Sequence, residues 1–460
     1  MKNFKSLFLL AISSMIWSNM FANQNNESVV SIPVYEEVVF YDGYRMKDNP
    51  DSLLNDGILR LSCSLYSKQL TEDILDKIGD KLDLNVYVHA CCDNYDRIGN
   101  INIAFVPKGQ QSYDPANTER IEIARFVTPF MDKNKEPNTV PYKYEMDYLT
   151  YLLRDSTIRS NNDLWLEFEL FGVPYAGNKQ IEGCEGRSDT FAGTLVFETN
   201  EPAPLLPNNV LVPIVIKKPE YIGANLNNYS QSGTDQIGKT VKTYTFDVLS
   251  DLTDSMITLI TSNHGANRGG EEYNRRWHFV YFDDELVLSY LPGRPSCEPF
   301  RQFNTQRNGI YGRSEMTDTE WQSFSNWCPG DAIDNRILTT GNLKAGKHTI
   351  RIEVPEAKFV DNQGDIPVSM YLLGVENGSL PDDAHVSDNK LDKVNISKNN
   401  GLVSIATDLI VDNVKVFNTN GDVIHEQEGI ESFEIPENSE TVNLISVELD
   451  DGRIITKILP

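Results

Sequence analysis

Few residue types in this chain are spaced to do chemistry, and most of those are acidic. Cys92-Asp93-Asn94-Tyr95-Asp96-Arg97 sets two carboxylates, an aromatic ring and an arginine directly after a strong strand signal, with His89 near that strand's end. Strand-end loops are where a rigid scaffold presents functional groups. Arg97 beside Asp96 would hold that carboxylate below its ordinary pKa and leave it a base at neutral pH. The spacing alone favours a plainer account, an Asx turn whose aspartate bonds its own backbone. Glu167-Phe168-Glu169 puts two carboxylates on one face of a strand, where they would ordinarily only solvate a surface. Gly269-Gly270-Glu271-Glu272-Tyr273 leads a glycine pair, usually only a turn, into two acids ahead of a strand.

Other chemistries lack their residues. There is no GxSxG nucleophile elbow and no GxxxxGK[ST] phosphate loop. The six histidines (His89, His264, His278, His348, His385, His425) show neither HxH nor HExxH spacing, and no CxxC occurs. We therefore expect no metal and no cofactor.

The elements that must position these acids read as strands. Short runs recur at Gly57–Lys68, Leu82–Ala90, Glu119–Val127, Leu164–Phe171, Thr190–Glu198, Thr240–Leu249, Trp277–Leu288, Lys347–Val354 and Val368–Val375, separated by Gly, Pro, Asn and Asp clusters. Arg120-Ile121-Glu122-Ile123-Ala124-Arg125-Phe126 alternates as a sheet with one wet face would. Only Glu72–Leu82 and Tyr144–Leu153 suggest short helices. This is the pattern of an all-β protein built from β-sandwiches.

At 460 residues the chain should hold two or three domains. A net charge of -26 argues against nucleic acid and against an anionic membrane as partners. Lys2 and Lys5, the apolar run Leu7–Trp17 and Phe21-Ala22 read as a signal peptide over 1–22, with no nearby cysteine for a lipid anchor. No later run is long enough to cross a bilayer. The mature protein is then expected to be exported from a Gram-negative cell to the periplasm, the surface or the medium. There, Cys63, Cys91, Cys92, Cys184, Cys297 and Cys328 favour disulfides, although the sequence alone does not read their pairing. Pro-rich 202–207 and polar 377–400 break the chain into 23–207, 208–378 and 379–460. The last part carries two hairpin signals, at Asn418–Gly421 and Asp450–Gly452. It resembles the C-terminal sorting domains of type IX secretion, and an Ig-like accessory β-sandwich fits it nearly as well.

Taken together, the acidic segments resemble the peptide:N-glycosidase F family. Cys92–Arg97 is similar to its C-D-E-W-D-R motif, Ile123–Phe130 to I-G-R-F-I-T-P-Y, and Leu164–Phe171 to L-K-I-Y-T-E-T-W. Glu272 and His278 keep its Glu-to-His spacing, and Trp327-Cys328-Pro329-Gly330 repeats its W-C-P-G turn. The resemblance implies two adjacent antiparallel eight-stranded jelly-roll sandwiches, with the small C-terminal β-sandwich added. It implies hydrolysis of the amide joining asparagine to N-acetylglucosamine, on N-glycosylated proteins or glycopeptides, by a monomer. It makes Asp96, Glu272 and Glu169 catalytic, and Arg97, Tyr95, Tyr273, Phe171 and His278 substrate contacts. It also pairs Cys297 with Cys328 and leaves Cys91 and Cys92 to reach Cys63 or Cys184.

The chain departs from the family's pattern in its sugar cleft, where tryptophans become Tyr95, Tyr273 and Phe171. A second cleft arginine has no counterpart, since Ser323 or Phe324 falls near its place, and Gly270 and Asn274 stand where the family has cysteines. The alternative is a glycan-binding protein or adhesin on the same scaffold, without catalysis.

Overall fold

The computed structural model describes residues 29–45, 57–216, 225–227, 235–265, 271–306, 316–322, 324–359 and 364–376, and in the tail 395–399, 402–406, 411–417, 423–429, 432–434, 443–449 and 454–459. The signal peptide, most of the 377–400 break, Gly269-Gly270, Ser323 and both tail turns lie outside the described residues.

Among the described residues, the first half supplies β1 (Val30–Tyr41), β2 (Ile58–Arg60), β3 (Leu65–Gln69), β4 (Leu82–Ala90), β5 (Ile98–Pro107), β6 (Arg120–Val127), β7 (Thr139–Glu145), β8 (Asn162–Leu170) and β9 (Asp189–Thr199). The second supplies β10 (Asn209–Val215), β11 (Val241–Val248), β12 (Leu252–Thr261), β13 (His278–Phe282), β14 (Glu285–Tyr290), β15 (Ala332–Ile333), β16 (Arg336–Leu343), β17 (Gly346–Glu353) and β18 (Val368–Glu376). The pairings are antiparallel. The tail adds the hairpins Val411–Phe417 with Val423–Glu428 and Asn443–Leu449 with Ile454–Leu459.

Two expected strands are hairpins instead, β2–β3 within Gly57–Lys68 and β13–β14 within Trp277–Leu288. Both expected helices are shorter. Glu72–Leu75 is helical before β4 begins at Leu82, and Thr150–Leu153 follows a 3₁₀ turn because β7 runs on to Glu145.

The first core lies between sheet β1-β9-β4-β7 and sheet β15-β6-β5-β8-β3-β2, and is filled by Phe40, Leu84, Val86 and Phe197 facing Ile101, Ile121, Leu166 and Phe168. The second lies between β10-β18-β12-β16 and β11-β17-β13-β14, with Ile257, Leu259 and Leu372 facing Val280, Ile350 and Ile352. The second sandwich therefore has two four-stranded sheets. The first is larger than the expected eight strands, and its six-stranded sheet takes β15 from the second half of the chain.

β18 explains how the two cores are joined. Its alternate side chains Met370 and Leu372 enter the second core, while Tyr371 and Leu373 enter the first. A strand buried on both faces reads as a continuous apolar run, as Met370–Leu373 does.

The alternation in β6 is broken by an irregularity between Glu122 and Ala124, and its polar side chains are not wet. Arg120, Glu122 and Arg125 are buried beside Asn100, Asn102 and Glu167. Arg120 pairs with Glu167 at 2.6 Å and Arg125 with Glu122 at 2.8 Å. Arg125 also donates across the sandwich boundary, to the Ser262 hydroxyl at 2.8 Å and the Pro367 carbonyl at 3.0 Å. Removing one partner of a buried pair strands the other charge, at a cost of about 3–5 kcal/mol. Arg125→Ala should lose about that much stability in urea denaturation, and a loss below about 1 kcal/mol would show that water had replaced the network.

Candidate active site

The Asp93 and Asp96 carboxyls do different jobs. Asp93 is buried, and its Oδ1 accepts the Tyr95 amide at 3.0 Å, which is the Asx turn that the spacing favours. Its Oδ2 accepts the Val173 amide at 2.6 Å and Arg97 Nε at 2.7 Å. Arg97 thus pairs with Asp93, four residues apart, rather than with its neighbour Asp96. The Arg97 head lies over the Tyr95 ring at 4.6 Å and 5.9 Å from the Phe171 ring centre.

Asp96 sits in the turn that Thr128 closes. The Thr128 hydroxyl accepts the Arg97 amide at 2.7 Å and donates to the Tyr95 carbonyl at 3.0 Å, and its own amide donates to the Arg97 carbonyl at 2.8 Å. Three bonds from one residue after β6 therefore fix the peptide units on both sides of Asp96. Its Oδ1 is shut off from solvent and has no hydrogen-bond partner.

Glu272 reaches the same place from the second sandwich. Its carbonyl accepts from the Asn326 amide at 2.9 Å, from Asn326 Nδ2 at 2.9 Å and from the Ser325 hydroxyl at 3.0 Å. Its carboxyl accepts from the Gly265 amide and the Tyr273 hydroxyl.

Behind Asn326 stands the Trp327–Gly330 turn. The Trp327 indole donates to the Asn263 carbonyl at 2.9 Å, and Cys328 is bonded to Cys297. Gly330 has φ +102°, a conformation open to glycine, and its amide donates to the Val127 carbonyl at 2.9 Å. Ala332 and Ile333 of β15 then pair with Phe126 and Arg125 of β6, so one strand leads into both Thr128 and the support of Glu272.

Burial sets the electrostatics. It pushes the Asp96 carboxyl well above its ordinary pKa, and the charge of Glu272 raises it further against the smaller pull of Arg97. Glu272 is raised to about 7, chiefly by burial, with Asp365 adding to the rise. Adjacency to Arg97 led us to expect a depressed Asp96. The direction is the reverse, because Arg97 is committed to Asp93 and desolvation dominates.

The remaining candidates divide. Glu169, half-buried at the end of β8, lies opposite Asn100 and two residues before Phe171. Glu167 on the same face is fully buried and neutralised by Arg120. Tyr95 and Phe171 are half-buried, and Tyr273 is exposed. His278, read as a substrate contact, is fully buried, stacked on Tyr290 at 4.7 Å and bonded through Nδ1 to the Arg276 carbonyl. Burial lowers it to about 3, so it is a neutral packing residue out of a glycan's reach. Phe324 packs between Phe130 and Trp327.

The sequence reading did not single out Thr128, Asn326 or Asn263. Asn263 is 1% exposed, and neither atom of its side-chain amide has a partner. Among the described residues, no group of three or more His, Cys, Asp or Glu could hold a metal ion, and no helix is long and apolar enough to cross a membrane. Cys92 bonds Cys184, while Cys63 and Cys91 are free thiols.

The family model for the N-terminal part of peptide-N-glycosidase F matches residues 31–185, and that for its C-terminal part matches residues 228–373. This chain belongs to the peptide-N-glycosidase F family. Two crystal forms of PNGF-II resemble this family member with TM-scores of 0.52 and 0.53 at 20% identity, over 80% and 81% of this chain and 68% of that one. PNGase F, a glycosylasparaginase from Flavobacterium meningosepticum, matches 77% of this chain and 97% of its own at 14% identity, with a TM-score of 0.47. No curated protein matches the chain. In this family member, Asp96 and Glu272 come from the two matched regions, and the charge of Glu272 is felt at Asp96.

Glu272 ties the site to stability. Its folded pKa of about 7 lies above the ordinary 4.5, so folding favours its protonated form. That contribution is fully present below the ordinary value and is lost as pH rises through the folded one. The loss amounts to about 3 kcal/mol. Glu272→Gln, which stays neutral, should match the wild type near about pH 4 and exceed its melting temperature by several degrees near about pH 8. A difference that does not change with pH would contradict this.

Proposed function

We propose that this protein is a peptide-N4-(N-acetyl-β-glucosaminyl)asparagine amidase. It hydrolyses the amide between asparagine and the first sugar of an N-glycan, frees the whole glycan as a glycosylamine and leaves aspartate on the peptide. The observation that carries this reading is that Asp96 and Glu272, two carboxyls with raised pKa values, are each held by a separate backbone clamp, with the charge of Glu272 felt at Asp96. Perturbed acids in such a setting are the usual mark of acid–base chemistry.

We assign the ionised role to one of these carboxyls and the protonated role to the other. The ionised member takes a proton from water as the water oxygen bonds to the side-chain carbonyl carbon. The protonated member gives its proton to the amide nitrogen as the C–N bond breaks. No metal is needed for either transfer. The glycosidase scheme built on two carboxylates does not apply, because the bond broken is an amide. We assign to the Arg97 guanidinium, braced by Asp93 and lying over Tyr95, the orientation of the sugar next to the amide, and to Glu169 and Tyr273 further contacts with the core sugars. The two disulfides support an exported working location.

The test is digestion of an N-glycopeptide followed by peptide mass. The wild type should convert asparagine to aspartate, in the presence or absence of EDTA, and Asp96→Asn should lower kcat by about 10²–10⁴-fold. Glycan binding without conversion on high-mannose, complex and core-fucosylated substrates would replace this reading with a non-catalytic one. A peptide left carrying one sugar would mean a glycosidase.

A further inference from the structure

The aromatic surface does not stop at Phe171. The Tyr44 ring meets Phe171 edge-on at 5.2 Å, and Tyr175 lies 6.5 Å from Tyr44 with the two planes only 28° apart. Tyr44 is 71% exposed and Tyr175 53% exposed. Exposed rings held in a fixed array beside a catalytic cleft mark a binding surface more often than packing.

The array is built rather than incidental. Asp42, only 2% exposed, accepts the Tyr44 amide at 3.2 Å, pairs with Arg45 at 3.6 Å and hydrogen-bonds the Tyr175 hydroxyl. One buried carboxylate therefore orients both rings. The Gly43 amide donates to the Gly172 carbonyl at 2.9 Å, and a Cβ at Gly43 would stand 2.4 Å from the Phe171 ring, so this contact needs glycine. Tyr175 belongs to a segment after β8 that is fastened to the Asp96 loop by the Cys92–Cys184 disulfide, by the Val173 amide on Asp93 and by Asn94 Nδ2 on Gln180 at 2.9 Å. The distance from Tyr175 to the reacting carboxyls is fixed through these ties.

We propose that Tyr44, Tyr175 and Phe171 form a stacking platform for a further pyranose ring of the substrate glycan, beyond the sugars at Tyr95 and Arg97. This rests on the amidase reading for the identity of the substrate. A pyranose offers an apolar C–H face to a ring and a rim of hydroxyls to its flanks. The platform supplies both, flat tyrosine faces and the charged groups of Arg45 and Arg97 at its edges. Its continuity with Arg97 through Phe171 favours the glycan over the peptide as the occupant.

The test compares the full chain with its Tyr44→Ala/Tyr175→Ala variant on one peptide carrying either a high-mannose glycan or only the core disaccharide. The ratio of kcat/KM for the long glycan to that for the short one should fall about tenfold, through KM. Tyr44→Trp/Tyr175→Trp, which keeps the flat faces, should retain the ratio. Binding of the free high-mannose glycan to the full chain, read by calorimetry, should weaken about tenfold in the alanine variant and decides the matter even if the wild type cleaves nothing. Equal losses on both glycans, or unchanged binding, would each overturn the proposal.

Discussion

Burying two carboxyl groups at one place, in a chain of net charge -26, is the constraint from which the rest of this structure follows. Water would ionise them at neutral pH, so each is positioned chiefly through its backbone. Thr128 does this for Asp96 and the Ser325–Asn326 pair does it for Glu272, in both cases by holding backbone. Asp96 Oδ1 stays without a partner, and neither carboxyl is paired with an arginine, which leaves their protons available. A scaffold that neutralised them fully, as Arg120 neutralises Glu167, would stabilise the fold and remove the chemistry.

Fixing two such groups from different domains demands a rigid joint. β15 provides it by leaving the second sandwich to pair with β6, so the strand that leads into Thr128 is paired with the strand that follows the W-C-P-G turn. The buried Arg125 network and the two-faced strand β18 complete the joint. Interfaces between domains in one chain are usually modest and polar. This one is polar but closed to water, and that suits a site that must not breathe.

The strands were legible where the burial pattern repeats every second residue. Leu82–Ala90 was read with its observed limits, and β6, β8, β9, β11, β17 and β18 within about two residues. Hairpins within Gly57–Lys68 and Trp277–Leu288 were read as single strands because their turns, Leu61–Ser64 and Asp283-Asp284, lack strong breakers. The face of β6 was read as wet because sequence carries no sign of what covers a sheet. The same blindness applies to partners: Arg97 adjoins Asp96 in sequence and binds Asp93 in space. Motif resemblance located Asp96, Glu272 and Phe171, but Tyr44 and Tyr175 lay outside every motif, in segments whose proximity only the fold reveals.

The claim that the pair cleaves the amide itself is tested most directly by running the reaction in water labelled with heavy oxygen and locating the label in the peptide. The account predicts one labelled oxygen in the new aspartate carboxyl with the wild type, and almost no labelled aspartate in the same reaction time with Asp96→Asn or Glu272→Gln. Release of the glycan with the peptide asparagine intact and unlabelled would contradict it.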